Sequence, residues 1–139
     1  MVDEALLNTL KEMLGYTEAQ WEIWKSNPRN LKVAENLPDF PKYKVIAEVT
    51  NSYGCAAGHK VGDKIVCGPG SLLCKENPEQ VCLGVLSPII PLAWTVFEKI
   101  CNGEDPTQIA FNKVHCVDVG VDNGGWGEVV VDVKVEKTE

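Results

Sequence analysis

The sequence predicts an α+β fold: an antiparallel sheet packed by one central helix, with an N-terminal helical arm. Three observations predict it. Lys42–Thr50 and Glu128–Glu136 alternate apolar and polar residues, the period-two signature of half-buried strands. Leu92–Asn102 carries Ala93, Val96, Phe97 and Ile100 at helical spacing. The first forty residues hold three short capped helical patterns and no alternation. The expected division is a helical arm over 1–41 and an α+β core over 42–139. At 139 residues the chain is long enough for one sizeable hydrophobic core.

Within the arm, residues 4–14 place Leu6, Leu10, Met13 and Leu14 at helical spacing with Leu7 beside them, and Gly15 suits the stop. Thr17-Glu18-Ala19-Gln20 has the form of a capping box, in which hydroxyl and amide satisfy each other's orphan backbone donors. Tyr16 and Trp21 stand where a hydrophobic staple packs, and Trp21 and Trp24 share a face. Asn27-Pro28 reads as an N-cap followed by proline at the first helical position, opening a helix to about Asn36 that Pro38 and Pro41 end.

In the core, Tyr43, Val45, Ala47 and Val49 face one way, with Ile46 the exception among the outward residues. A loop over Cys55–Asp63 follows, then a short strand at Lys64–Cys67 and a turn at Gly68-Pro69-Gly70. Residues 71–82 read as irregular. Pro91 and Gly103 bracket the central helix. Ile109–Val119 reads as a strand that pairs with the last one across the glycine-rich turn Asp122–Gly125. On the last strand Val129, Val131, Val133 and Val135 point inward.

Charge and composition exclude several roles. A net charge of −7 and a pI near 4.8 disfavour nucleic acid and anionic membranes, since both need a basic face. The uncharged run Gln80–Phe97 approaches the length of a membrane span, but Gly84, Pro88 and Pro91 interrupt it and a buried core segment is expected. The N-terminus carries Asp3 and Glu4 rather than a basic region before an apolar one, so no export signal is read. A cytoplasmic, reducing location follows. The six cysteines are then expected as thiols or metal ligands rather than disulfides.

The chemistry concentrates in Cys55-Ala56-Ala57-Gly58-His59-Lys60-Val61-Gly62-Asp63. A connecting loop needs glycines, but it does not need a thiol and an imidazole four residues apart. Cys55 and His59 suit zinc or an iron–sulfur cluster, with further ligands to be found among Cys74, Cys82 and Cys116. Asp63 is placed to hold the imidazole or to cap the turn. A metal-free alternative makes Cys55 a nucleophile beside His59 or Lys60. His115 and Cys116 are neighbours in a strand and so face opposite ways. Cys67 and Cys101 read as packing residues. Trp94 reads as core, and Trp126, between Gly125 and Gly127, as core filler, pocket lid or partner contact. The chain contains no CxxC, P-loop, Rossmann glycine pattern, HExxH or GxSxG.

From about Tyr43 to Val135 the chain resembles a family of small, functionally unassigned proteins of anaerobic bacteria and archaea. That family's pattern is an alternating strand, a Cys-x-Ala-Gly-His-Lys-x-Gly-Asp loop, a cysteine before a proline-containing apolar helix, and Cys-x-Asp in a late strand. Here these are Cys55 to Asp63, Cys82 (or Cys74) before Pro88 and Pro91, and Cys116-Val117-Asp118. Gly124–Glu128 is similar to a longer subgroup that also carries the helical arm. The resemblance implies no established activity; an anaerobic setting is compatible with an iron–sulfur cluster.

Together these expectations favour a small metal- or iron–sulfur-binding protein, redox or structural, with Cys55, Cys82 and Cys116 as ligands and His59 as the fourth ligand or its support. Those three thiols should converge beside the 55–63 loop. A Cys55/His59 enzyme or small-molecule binder without metal is the first alternative. An accessory subunit that docks a larger partner through its aromatic arm is the second. A homo-oligomer or a larger redox or enzyme partner is compatible with each.

Overall fold

Capping chemistry sets the arm. The computed structural model describes residues 2–69, 77 and 80–138. Helix α1 (Glu4–Leu14) starts at Asp3, whose carboxylate accepts the Ala5 N–H, and stops at Gly15 in the left-handed region. Helix α2 (Glu18–Lys25) starts at the Thr17–Gln20 capping box, and α3 (Pro28–Asn36) at Asn27, which accepts the Arg29 N–H. The arm has its own small core of Leu7, Leu10, Trp21 and Ala34. The buried stripe of α1 is Leu7 and Leu10; Met13 and Leu14 are exposed. The Trp21 and Trp24 rings stack at 5.0 Å, and Tyr16 lies 6.2 Å from Trp21. Those rings therefore cover one another.

A 3-10 turn (Leu37–Lys42) leads to the sheet of β1 (Tyr43–Tyr53), β2 (Lys64–Cys67), β3 (Lys113–His115) and β4 (Glu128–Lys137). Its order is β2-β1-β4-β3, antiparallel throughout. The fold is α+β: helix α4 (Leu83–Cys101) lies across one face of the open sheet. Val85, Ile89, Ala93, Val96 and Ile100, spaced by fours and threes, meet Val45, Ala47, Val49, Val131 and Val133 in one cluster. Ile46 is buried on the opposite face with its strand partner Val66. The side chain of Asn77 acts as a short strand partner to β2, accepting the Val66 N–H and donating to the Val66 carbonyl.

Three expectations are corrected. The central helix begins at Leu83, not Leu92, and runs through Pro88 and Pro91. The strand expected over 109–119 shrinks to Lys113–His115, because the chain turns away to build the site described below. Trp94 is not core: it is half exposed, tilted against Phe97, which in turn stacks on Phe40. Helix α4 is the one described helix long and apolar enough to cross a bilayer, yet its core stripe is spent on the sheet.

Ile89 is 1% exposed and Ile23 72%. Ile89→Ala should therefore lower the unfolding free energy by about 2–5 kcal/mol through lost burial and a residual cavity. Ile23→Ala should change it by less than about 0.5 kcal/mol. Equilibrium denaturant unfolding reads both.

Candidate functional site

The loop between β1 and β2 is shaped at its base. Strand β1 carries a bulge at Thr50, between the Val49–Val131 and Asn51–Val130 pairs. Beyond it, the Val49 N–H donates to the Asp63 carbonyl at 2.8 Å and the Gly62 N–H returns to the Val49 carbonyl at 2.9 Å, closing the loop. Gly58 and Gly62 occupy the left-handed region that such a tight path requires. The Ser52 hydroxyl donates to the His59 carbonyl at 2.6 Å. The imidazole of His59 is thereby turned inward and buried.

The Nε2 of His59 is already engaged. It accepts the backbone N–H of Cys82 at 3.1 Å, which fixes the neutral tautomer with hydrogen on Nδ1. Nδ1 faces Asp63 Oδ2 at 4.0 Å, too long for a direct hydrogen bond. A carboxylate beside one imidazole nitrogen is how ligating histidines are supported. Here the other nitrogen is spent on tying the loop to the start of α4.

Cys82 is the N-cap of α4, and its Sγ accepts the Gly84 N–H at 3.3 Å. Further along, Pro88 has no N–H to donate to the carbonyl four residues back, that of Gly84. That carbonyl instead accepts the Val117 N–H at 3.1 Å and the Ser87 hydroxyl at 3.2 Å. The backbone of Gly84 thus binds the Cys82 sulfur on one side and the segment after Cys116 on the other. A Cβ at Gly84 would stand 3.5 Å from Cys82 Sγ and 3.7 Å from Val117 Cγ2, so the two segments are in van der Waals reach.

Cys116 follows β3 on the core side, and His115 faces outward, 3.9 Å from Glu128. The Cys116 N–H donates to the Val129 carbonyl at 2.9 Å, and the Val129 N–H returns to Cys116 Sγ at 3.3 Å. Two of the thiols therefore accept backbone N–H groups.

The 118–127 turn is wound around Asp118. Its carboxylate accepts the N–H groups of Gly120, Trp126 and Gly127 at 2.9–3.1 Å. These bonds, Trp126's foremost, hold the carboxyl below its ordinary range. Gly127 fits against Gly54 backbone to backbone: a Cβ on Gly127 would fall 2.3 Å from the Tyr53 carbonyl oxygen. Trp126 is consequently held on a fixed backbone with its ring 81% exposed, which overturns its reading as core filler.

These segments enclose a pocket of about 250 Å³. Cys55, His59, Cys82 and Cys116 all line it; Asp118, Trp126 and Glu128 line it too, among apolar walls that include Val85 and Val129. Cys55, Cys82 and Cys116 are free thiols. Cys67 and Cys101 are buried elsewhere and do not line it. Burial, then the charge of Glu98, pushes the Cys101 thiol up. Cys74 lies outside the described residues. Among the described residues, no three His, Cys, Asp or Glu side chains already form a set that could hold a metal ion. The roles of Gly84, Pro88 and Asp118 were not read from the sequence. A proline four residues after a glycine in an apolar helix is the signal that could have found the first two.

Comparison with protein-family models, curated proteins and solved structures finds no match for this chain.

Two substitutions test this construction. Pro88→Ala supplies an N–H that competes for the Gly84 carbonyl, while relieving a helix-interior proline that costs about 3 kcal/mol relative to alanine. The melting temperature should hold or rise while hydrogen exchange at the Val117 amide accelerates; unchanged Val117 protection would contradict the clamp. Asp118 has a folded pKa below its unfolded value, so its contribution is present above the unfolded value of about 3.9 and is lost as pH falls through the folded one. Asp118→Asn should therefore be less stable than wild type at neutral pH, with the gap closing as pH drops below about 5. Thermal unfolding of both proteins across pH measures it.

Proposed function

We propose that this chain holds an iron–sulfur cluster, or otherwise a thiolate-bound metal such as zinc, on Cys55, Cys82 and Cys116, in a redox or structural role. The observation that supports the reading is that three cysteines from three distant segments, all free thiols, line one pocket. Backbone N–H bonds to two of the sulfurs support it, since such bonds stabilise and tune thiolate-held clusters. The N-terminus of α4 adds a partial positive charge beside Cys82, favourable to a thiolate at that residue.

Zinc would draw every sulfur to about 2.3 Å from a single centre, and a cluster would take the same thiolates as ligands; either requires the three side chains to draw together from their present arrangement. His59 then acts as a positioning residue for Cys82, not as a ligand, because its Nε2 is already engaged. The same bond weighs against the metal-free alternative, in which His59 would have to serve as base to Cys55. A thiolate-held cluster calls for a reducing compartment, so the cytoplasm is the proposed location. The partner is proposed to be a second copy or a larger redox enzyme. Kinship with the family of anaerobes that shares the Cys-x-Ala-Gly-His-Lys-x-Gly-Asp loop belongs to the same proposal.

Anaerobic purification, with iron and sulfide supplied if needed, tests it. The protein should carry iron and acid-labile sulfide and absorb at about 400 nm. Serine at Cys55, Cys82 or Cys116 should abolish that absorbance, and serine at Cys101 should leave it. Six freely titratable thiols with no bound metal would refute the reading.

A further inference from the structure

We infer that the sulfur pocket admits a small molecule with no negative charge and a flat apolar portion, that it rejects anions, and that Trp126 is its recognition residue. The inference deepens the sulfur-site reading and rests on it for what the ligand meets at the floor.

Charge is the first argument. Among the described residues lining the pocket there is no lysine or arginine. The one basic side chain, His59, is buried and neutral in its bond to Cys82. Two carboxylates, Asp118 and Glu128, stand in the wall, and the backbone N–H bonds to Asp118 keep it ionised at neutral pH. The opposing term is the N-terminus of α4, worth roughly half a positive charge at most. Its Gly84 N–H is already directed at the Cys82 sulfur. Two carboxylates against half a charge leave a site that repels anions.

Shape is the second argument. The lining also includes Ala56, Ala57, Val85, Val117 and Val129, whose side chains offer dispersion contacts and no polar anchors. At about 250 Å³ the pocket is below the roughly 300–1,000 Å³ range of drug-sized ligand sites, so the occupant is small.

Trp126 supplies the third. A large aromatic ring left in water forgoes the burial that aromatic rings ordinarily gain. This ring is not loosely attached. Its N–H and that of Gly127 are bound by Asp118, and Gly127 is locked against Gly54. A fixed backbone that carries an exposed indole on a residue lining an apolar pocket pre-organises a stacking surface.

Alkylation kinetics on the reduced, metal-free, full-length protein test this without requiring that a cluster form. Iodoacetamide and iodoacetate share one reaction: the thiolate forms a sulfur–carbon bond and iodide leaves. They differ in charge. Each cysteine's rate, read by peptide mass spectrometry, is normalised to the same cysteine in the urea-unfolded chain. The folded protein should favour iodoacetamide over iodoacetate at the pocket thiols by about tenfold more than the unfolded chain does. Iodoacetanilide, the same amide bearing a flat ring, should gain a further three- to tenfold or so through stacking. Trp126→Ala should lose that second gain and keep the first. Equal or greater normalised reactivity with iodoacetate would overturn the inference. So would an anilide advantage that is absent or survives Trp126→Ala, or pocket thiols closed to all three reagents. A colourless, metal-free protein with the expected alkylation pattern would refute the cluster while leaving this inference standing.

Discussion

The site depends on a missing hydrogen. Because Pro88 has no N–H, the carbonyl of Gly84 is free inside an otherwise regular helix, and the Val117 N–H takes it. A carbonyl without its helix donor gains from another, and the Ser87 hydroxyl and the Val117 N–H both supply one. In this way the helix recruits the segment after β3. Cys116 is thereby fixed one residue from the contact and Cys82 two residues from it. The proline weakens α4 as a helix and gives the two cysteines a common anchor. The other end of the arrangement is the bond from the Cys82 N–H to His59, which brings the Cys55 loop to the same place.

Backbone amides are the common instrument throughout. They cap Cys82, bond Cys116, wind the last turn around Asp118 and tie the imidazole of His59. None of this needs a cation from a side chain, and the pocket lining described contains none beyond the neutral histidine. Sulfur and carboxylate acceptors are met by peptide N–H groups, whose positions are set by the fold and do not depend on a flexible side chain. This leaves the pocket floor polar in a directed way and its walls apolar. Gly54 and Gly127 allow the close backbone approach that holds the Trp126 turn against the end of β1.

Much of this fold was legible because local chemistry and tertiary need agree. The helices of the arm begin where Asp3, the Thr17–Gln20 box and Asn27-Pro28 put them. The valines of β4 alternate and are buried as alternation requires. What was misread follows from the same habit of reading locally. Pro88 reads as an interruption and Pro91 as the helix start, yet α4 passes through both because its apolar stripe is held by the sheet and the carbonyl that Pro88 leaves finds Val117. Residues 109–119 look like a continuous strand, but only three residues pair. The chain leaves the sheet after His115 so that Asp118 can organise the turn. Cys55, His59, Cys82 and Cys116 were recognisable as reactive types, and the pocket joins them. That the imidazole serves the backbone of Cys82 was invisible, since it requires two segments 23 residues apart to meet.

In the proposed site, sulfur from three segments binds the metal while His59 supports Cys82 from behind. X-ray absorption at the metal edge of protein isolated under anaerobic conditions addresses this most directly. Sulfur should be the only protein donor to the metal, with no imidazole contribution, because His59 Nε2 is committed to the Cys82 N–H. An imidazole bound to the metal would contradict the role assigned to His59, and protein that takes up no metal at all would contradict the site.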